Sequence, residues 1–228
     1  MKVKIKGPII SNSDAWIYEW FGIEATSPSM VEKAIEKANG EDLEVEINSG
    51  GGDVFAGSEI YTALKSYKGN VTVKIVGLAA SAASVIAMAG KKVLMSPTAQ
   101  MMIHNVSSCA AGDYREMEHT AEILKSANDT IANAYRLKTG KTQEELLRLM
   151  DNETWMTAQK AKEHGFIDEI MFEDLQLAAS TSYSGLLPPE VINKIRNTVK
   201  NPAQKNKLDF LICKFKFLTL KGEIKNDL

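Results

Sequence analysis

Ser81 has the surroundings in this sequence that best suit covalent chemistry. A serine hydroxyl is a weak nucleophile, so it needs a neighbouring base, donors for the developing oxyanion and an exposed Oγ. Ser81 follows Gly77 at an expected junction of strand and helix, and flanking alanines leave room for a peptide. Backbone N–H groups at the start of a helix supply donors and a positive dipole end. The position alone suits an N-cap or a packing serine equally well, and it lacks the GxSxG pattern of a nucleophile elbow.

Three histidines are candidates for the base. His104 ends a short apolar strand before a polar loop, from which its ring could reach a site, although a structural strand-end histidine fits as well. His119 is expected to be solvated on a charged helix, and His164 is expected to cap the end of a helix. Spacing alone does not select the acid that would orient His104. The candidates are Asp113, Asp151, Glu153 and Asp168.

Three consecutive glycines, Gly50, Gly51 and Gly52, follow an apolar run and precede a predicted helix. Glycines at such a junction serve a tight turn, or they let a substrate backbone approach closely and donate an N–H to it. The chain has neither a GxGxxG nor a GxxxxGK[ST] pattern, so a nucleotide-binding loop is disfavoured.

The composition indicates an ordinary globular protein of one large domain with a tail. The 228 residues are 44% hydrophobic and 25% charged, and the formal net charge is −2. This balance favours neither nucleic acid nor an anionic membrane surface as a partner. The longest apolar stretch, residues 76–90, is shorter than the roughly 20 residues of a membrane span. We expect a cytoplasmic protein without a metal or cofactor, and two free thiols at Cys109 and Cys213.

Strand and helix patterns alternate along the first 170 residues. Strands are predicted at 3–10, 43–47, 71–76, 92–95 and 101–104, and helices at 27–37, 54–65, 79–89, 113–138, 142–150 and 157–163. Ser27 and Pro28 are typical of a helix start, and Thr142 with Glu145 forms a capping box. The alternation predicts an α/β layer fold built from repeated strand-turn-helix units, with a largely parallel sheet.

The composition changes near residue 175. The following stretch is rich in serine, then in proline, lysine and asparagine, which predicts a flexible boundary. We therefore divide the chain into a domain at 1–175 and a linker with a C-terminal extension at 176–228. Residues 208–220 alternate lysine with phenylalanine and leucine, as in an edge strand or a docking segment. The extension could also be a linker to a lost scaffold segment, or a peptide that the protein removes from itself.

Four stretches in order resemble the Clp proteolytic subunit family, from about residue 7 to residue 170. They are 47–57 (INSGGGDVFAG), 77–84 (GLAASAAS), 102–105 (MIHN), and 153–158 (ETWMTA) with 165–168 (GFID). Gly50 stands where the family usually has proline. The resemblance implies the ClpP/crotonase-like fold, in which residues 113–138 correspond to the long handle helix.

The resemblance also implies roles for the site residues. Ser81 corresponds to the nucleophile and His104 to the general base and acid. The backbone N–H groups of Gly52 and Ala82 correspond to the oxyanion hole, and Gly51 and Gly52 to substrate-binding residues. Together these assignments describe a serine peptidase site.

The acid departs from the family pattern. Glu153 aligns where the family usually has aspartate, and Asp151 lies two residues earlier. Glutamate is one methylene longer but can still hold an imidazole N–H. We predict Glu153 as the acid, with Asp151 as the second choice. The same comparison assigns Ser84 to helix packing.

The function implied by the resemblance is hydrolysis of peptide bonds through an acyl-enzyme, without ATP, in a homo-oligomer that is one heptameric ring or two stacked rings. Peripheral features resemble the relatives encoded among phage head genes, which implies prohead maturation by cleavage of scaffold or capsid proteins. These features are the SGGGD turn, the ETW sequence, a short N-terminal segment and the tail. Two alternatives stay open: a housekeeping-type subunit that works with an unfoldase ATPase, and a non-catalytic crotonase-like ring.

Overall fold

A computed structural model describes residues 1–173, of which Met1–Phe172 form one compact unit. The strands are β1 (Lys2–Lys6), β2 (Leu43–Ser49), β3 (Val71–Ala80), β4 (Lys92–Met95), β5 (Gln100–Ile103), β6 (Thr154–Thr157) and β7 (Glu169–Ile170). The helices are α1 (Ala15–Trp20), α2 (Pro28–Ala38), α3 (Val54–Lys65), α4 (Ala82–Ala87), α5 (Tyr114–Thr139), α6 (Gln143–Asp151) and α7 (Ala158–Glu163). The predicted tail elements lie outside the described residues.

A largely parallel sheet forms the centre of the domain. Its strands follow the order β1-β2-β3-β4-β7, and all of these pairs are parallel. Strand β5 pairs in parallel with the second half of β3, while β6 runs antiparallel to β5. The predicted α/β fold is confirmed, although the antiparallel pair was not expected from the sequence.

One face of the sheet carries the core. Alternate residues of β2 and β3, such as Val45, Ile47, Val73 and Ile75, are fully buried. The intervening residues point to the opposite face, where Glu44 accepts a hydrogen bond from Lys74. This period of two is the strand pattern that the sequence predicted.

Strand β3 is longer than expected, and its register with β2 shifts near its middle; an irregularity of this kind bends a strand. Thr72–Ile75 pair with β4, whereas Leu78–Ala80 pair with β5. At the bend the register with β2 shifts, and the Asn48 side chain accepts a hydrogen bond of 3.1 Å from the Leu78 N–H. A Cβ on Gly77 would lie 2.5 Å from Asn48 Oδ1. Glycine therefore permits the close approach that the bend requires.

Two predictions near this bend were wrong. The predicted strand at 71–76 continues to residue 80, and the predicted helix at 79–89 shortens to α4. The alanines before Ser81 have high helix propensity, but pairing with β5 keeps them in the sheet. Tertiary pairing therefore overrides the local preference.

The remaining helices agree with the sequence more closely. Helix α5 begins at a capping box formed by Asp113 and Glu116, and α6 begins at the expected capping box of Thr142 and Glu145. Helix α1 was not predicted because none of its residues is buried. No helix within residues 1–173 is long and apolar enough to cross a membrane.

Candidate active site

Three loops at one edge of the sheet bring the candidate residues together. The glycine loop follows β2, Ser81 follows β3, and His104 follows β5. Because these three strands are parallel, their carboxyl ends lie at the same edge, where α/β sheets commonly bind ligands.

Ser81 occupies an unusual backbone conformation between β3 and α4. Its φ is 55° and its ψ is −128°, a combination that non-glycine residues rarely adopt and that costs about 1–3 kcal/mol. The Ser81 N–H donates to the Met102 carbonyl at 3.0 Å, which extends the pairing of β3 with β5. The sharp turn ends the strand and places the serine at the N-cap of the helix.

The side chains of Ser81 and His104 are in hydrogen-bond contact. His104 Nε2 lies 2.9 Å from Ser81 Oγ, although 23 residues separate them in the chain. This distance allows a neutral imidazole to accept the hydroxyl proton through Nε2. The pair thus has the geometry of a nucleophile with its general base.

The glycine loop packs directly against the nucleophile. A Cβ on Gly51 would lie 2.7 Å from Ser81 Cβ, and one on Gly52 would lie 2.1 Å from the Ile9 carbonyl oxygen. Gly52 has a φ of 150°, held by hydrogen bonds from Ile9 N–H to Gly51 and from Asp53 N–H to Ile9.

Two backbone donors lie beside Ser81. Within the described chain, the N–H groups of Gly52 and Ala82 donate to no protein acceptor. Both residues line the cleft that contains Ser81 and His104. Their N–H groups are therefore available to stabilise negative charge on a bound carbonyl oxygen.

The cleft has a volume of about 380 Å³. Helices α3, α4 and α5 contribute apolar side chains to it, and Asn105, Ser107 and Ser108 line the polar side. The apolar residues include Val54, Val85, Ile123, Leu124 and Ile131. Such a lining suits an apolar side chain of a bound peptide next to the nucleophile.

Neither predicted acid is hydrogen-bonded to His104. Glu153 Oε1 accepts a hydrogen bond from Trp155 Nε1 at 3.1 Å, and Asp151 Oδ1 accepts one from Asn105 Nδ2 at 2.8 Å. Among residues 1–173, no carboxylate accepts a hydrogen bond from the His104 ring. Glu153 has a φ of 44°, so it is a second position of backbone strain near the site. The identity of the acid stays a prediction.

The other sequence candidates have structural contacts away from this pair. Asp113 caps α5, and Asp168 accepts hydrogen bonds from the Val93 N–H and from Lys138. His164 lies at the C-cap of α7 as expected. Cys109 is a free, exposed thiol, and Cys213 lies outside the described residues. In the part of the chain that the structure describes, no group of three or more His, Cys, Asp or Glu side chains could hold a metal.

Sequence reasoning missed the partners of Ser84. Its hydroxyl contacts both the Ser81 carbonyl and the hydroxyl of Tyr135 on α5. The sequence alone indicated no role for Tyr135, which is 1% exposed. The available signal was the phenol itself, because a buried tyrosine usually needs a hydrogen-bond partner.

The site has a serine and a histidine in contact at the carboxyl edge of a parallel sheet, and two backbone donors lie beside them. These features define an α/β protein with a serine hydrolase type of site. Residues 30–174 match the Clp protease family. This match covers more than half of the chain, so the chain belongs to the Clp protease family.

Individual relatives agree with this family. Two strains of Bacteroides fragilis have an ATP-dependent Clp protease proteolytic subunit that is 35% identical over 136 residues, which is 59% of this chain and 66% or 62% of the relative. The subunit of the same name from Deinococcus radiodurans is 33% identical over 133 residues, covering 58% of this chain and 65% of the relative. The matched region is thus just under two thirds of the length of these curated relatives.

A solved structure supports the fold. A mutant of ClpP1 from Listeria monocytogenes superposes with a TM-score of 0.62 and 26% identity, covering 75% of this chain and 90% of that structure. The expected ClpP-like fold is therefore confirmed.

Proposed function

We propose that this chain is a serine endopeptidase that hydrolyses peptide bonds through an acyl-enzyme on Ser81. The observation that carries the proposal is the 2.9 Å contact between Ser81 Oγ and His104 Nε2, next to two N–H groups without a protein acceptor in the described chain. Family membership supports the same reaction.

Each group has a definite part in the proposed reaction. Ser81 Oγ attacks the carbonyl carbon of the substrate peptide while His104 Nε2 takes its proton, and the N–H groups of Gly52 and Ala82 stabilise the oxyanion. His104 then gives the proton to the leaving amine. Water, deprotonated by His104, cleaves the resulting ester and releases Ser81. We place the substrate backbone along Gly51 and Gly52.

The proposed orienting acid is Glu153, with Asp151 as the alternative. Glu153 follows from the alignment of the ETW sequence, and its strained backbone supports a functional position. Asp151 is supported by its hydrogen bond to Asn105, which directly follows His104.

The proposed assembly is a homo-oligomeric ring of seven subunits, or two such rings stacked. Apolar side chains exposed along α5 support it, since a lone long helix rarely keeps large apolar residues in water. They are Tyr114, Met117, Ile123 and Leu137.

For the biological role we favour prohead maturation by cleavage of scaffold or capsid proteins. The SGGGD turn, the ETW sequence and the extension after residue 175 support this role. The alternative is a housekeeping-type subunit that receives substrates from an unfoldase ATPase. It is supported by the relatives, which are proteolytic subunits of ATP-dependent Clp proteases.

Hydrolysis by the purified full chain tests the proposal. The wild type should cleave an unfolded protein such as casein without ATP, and Ser81→Ala or His104→Ala should lower turnover roughly 10⁴-fold or more. Ser66→Ala, which changes an exposed serine outside the cleft, is the matched control and should retain activity. Absence of cleavage by the wild type, or full activity of Ser81→Ala, would contradict the proposed function and favour the non-catalytic ring.

The same assay separates the two roles. Prohead maturation predicts that a Clp-type ATPase with ATP leaves the rate unchanged. Degradation of a folded protein only when the ATPase and ATP are present would instead support the housekeeping role.

A further inference from the structure

Ser84 and Tyr135 connect the nucleophile's backbone to the long helix α5. Ser84 Oγ lies 2.6 Å from the Ser81 carbonyl oxygen and 2.8 Å from the Tyr135 hydroxyl oxygen. Ser84 is fully buried and Tyr135 is 1% exposed. These contacts form a continuous hydrogen-bond chain of three groups behind the catalytic serine.

The direction of each hydrogen bond follows from the number of protons. A serine hydroxyl has one proton, and a carbonyl oxygen can only accept. Ser84 must therefore donate to Ser81, so the Tyr135 hydroxyl must donate to Ser84. Burial raises the pKa of Tyr135 well above its ordinary value, which keeps the phenol protonated and able to donate.

This chain of hydrogen bonds affects the orientation of the Ala82 N–H, a proposed oxyanion donor, because the peptide bond is planar. The Ser81 carbonyl and the Ala82 N–H belong to one trans peptide, so they point in opposite directions. The Ser81 carbonyl accepts from the Ser84 hydroxyl, from the Ser84 N–H at 2.9 Å and, more weakly, from the Val85 N–H at 3.4 Å. A carbonyl held by these three donors fixes the direction of the Ala82 N–H.

The unfavourable backbone conformation of Ser81 explains why the Ser81–Ala82 peptide needs such hydrogen bonds. A φ of 55° at a serine is unfavourable and persists only where the surroundings hold it. Without the hydroxyl of Ser84, the Ser81 carbonyl loses the shortest of its three hydrogen bonds, so the Ser81–Ala82 peptide is held less firmly in this orientation.

We propose that Ser84 and Tyr135 are positioning residues that hold the Ser81–Ala82 peptide so that the Ala82 N–H faces the oxyanion. The inference rests on the proposed peptidase function and adds to it two residues that do not touch the substrate. It also gives Ser84 a role beyond the helix packing expected from the sequence.

Steady-state kinetics of Ser84→Ala and Tyr135→Phe test this inference. Removal of a whole oxyanion donor lowers kcat about 10²–10³-fold, so misorientation of one should lower kcat roughly 10–100-fold with KM changed less than about twofold. The kcat of the double variant should be at least about half that of the slower single variant, because both substitutions break the same chain of hydrogen bonds. A peptide aldehyde, which forms a tetrahedral adduct, should lose affinity by the same factor as kcat/KM.

A matched control separates positioning from a general loss of a hydroxyl. Tyr67→Phe removes a phenol that donates to the Glu41 carbonyl at 2.7 Å, and neither residue lines the cleft. It should keep the wild-type kcat. Tyr135→Phe retains the ring that packs edge-on against Phe166 with a centroid distance of 5.6 Å, so at least one test variant should fold, as thermal denaturation can verify.

Failure of the positioning role and failure of the peptidase function give different experimental results. If the wild type hydrolyses peptides and both variants keep its kcat, or change only KM, the inference is overturned while the peptidase function stands. If the wild type neither hydrolyses peptides nor binds the aldehyde, the proposed function fails, and the inference fails with it.

Discussion

Ser81 and His104 meet because Ser81 continues the pairing of β3 with β5 and His104 directly follows that partner strand. The Ser81 N–H bonds to Met102, two residues before His104, so strand register sets the distance between the two side chains. Their residue types and surroundings made both of them candidates in the sequence. The φ of 55° at Ser81 could not be predicted, because serine has no intrinsic preference for that conformation.

The orienting acid is tested at the residue scale by Glu153→Gln and Asp151→Asn. Loss of the carboxylate that orients a catalytic histidine lowers kcat about 10⁴-fold, so we expect a loss of this order for Glu153→Gln. Asp151→Asn should cost less than about tenfold, since the asparagine keeps a side-chain oxygen that can accept the hydrogen bond from Asn105 Nδ2. Steady-state peptide hydrolysis measures both.

A conservative variant provides the control. Glu153→Asp keeps the carboxylate and should retain most of the activity. The reverse order, with Asp151→Asn inactive and Glu153→Gln active, would make Asp151 the acid.

For some helices and strands around the site, the local sequence pattern is sufficient to predict where the element begins and ends. Helix α3 and strand β4 have the bounds that the sequence predicted, because their apolar periodicity matches the faces that are buried. The helix predicted at 79–89 was too long, since pairing of residues 78–80 with β5 is a non-local contact. Helix α1 was missed because Trp16 and Trp20 are exposed, and periodicity predicts only elements that bury a face.

The bend of β3 predicts the effect of a single methyl group. Gly77→Ala would bring a Cβ within 2.5 Å of Asn48 Oδ1 and break its hydrogen bond to Leu78, which should lower the free energy of unfolding by about 1–3 kcal/mol. Urea denaturation measures this change.

Gly50→Ala is the matched control for the bend. A Cβ there meets no atom within 4 Å, so the free energy of unfolding should stay within about 0.5 kcal/mol of the wild type. Equal stability of the two variants would contradict the close approach at Gly77.

For the whole molecule, alternation of strands and helices was sufficient to predict an α/β fold. The bent β3, which pairs with both β4 and β5, depends on contacts between distant residues and could not be read from the pattern. The exposed apolar residues of α5 are also a whole-molecule feature, because a helix pattern alone does not distinguish a face buried within one chain from a face buried between chains.

Light scattering of the purified full chain tests the proposed assembly. One ring or two stacked rings would have a molar mass of seven or fourteen chains. Leu137→Glu, which places a charge at a side chain that is 70% exposed, should reduce that mass if α5 lies between subunits, whereas Lys125→Gln on the same helix should not. A monomeric wild type would contradict the ring.

The position of a covalent adduct identifies the nucleophilic serine. Intact-mass spectrometry after treatment with a fluorophosphonate should show one adduct per chain, and peptide mapping should locate it on Ser81, because His104 activates only that hydroxyl. The Ser81→Ala variant should remain unmodified. An adduct that persists in Ser81→Ala, or a wild type that hydrolyses peptides without modification at Ser81, would contradict Ser81 as the nucleophile.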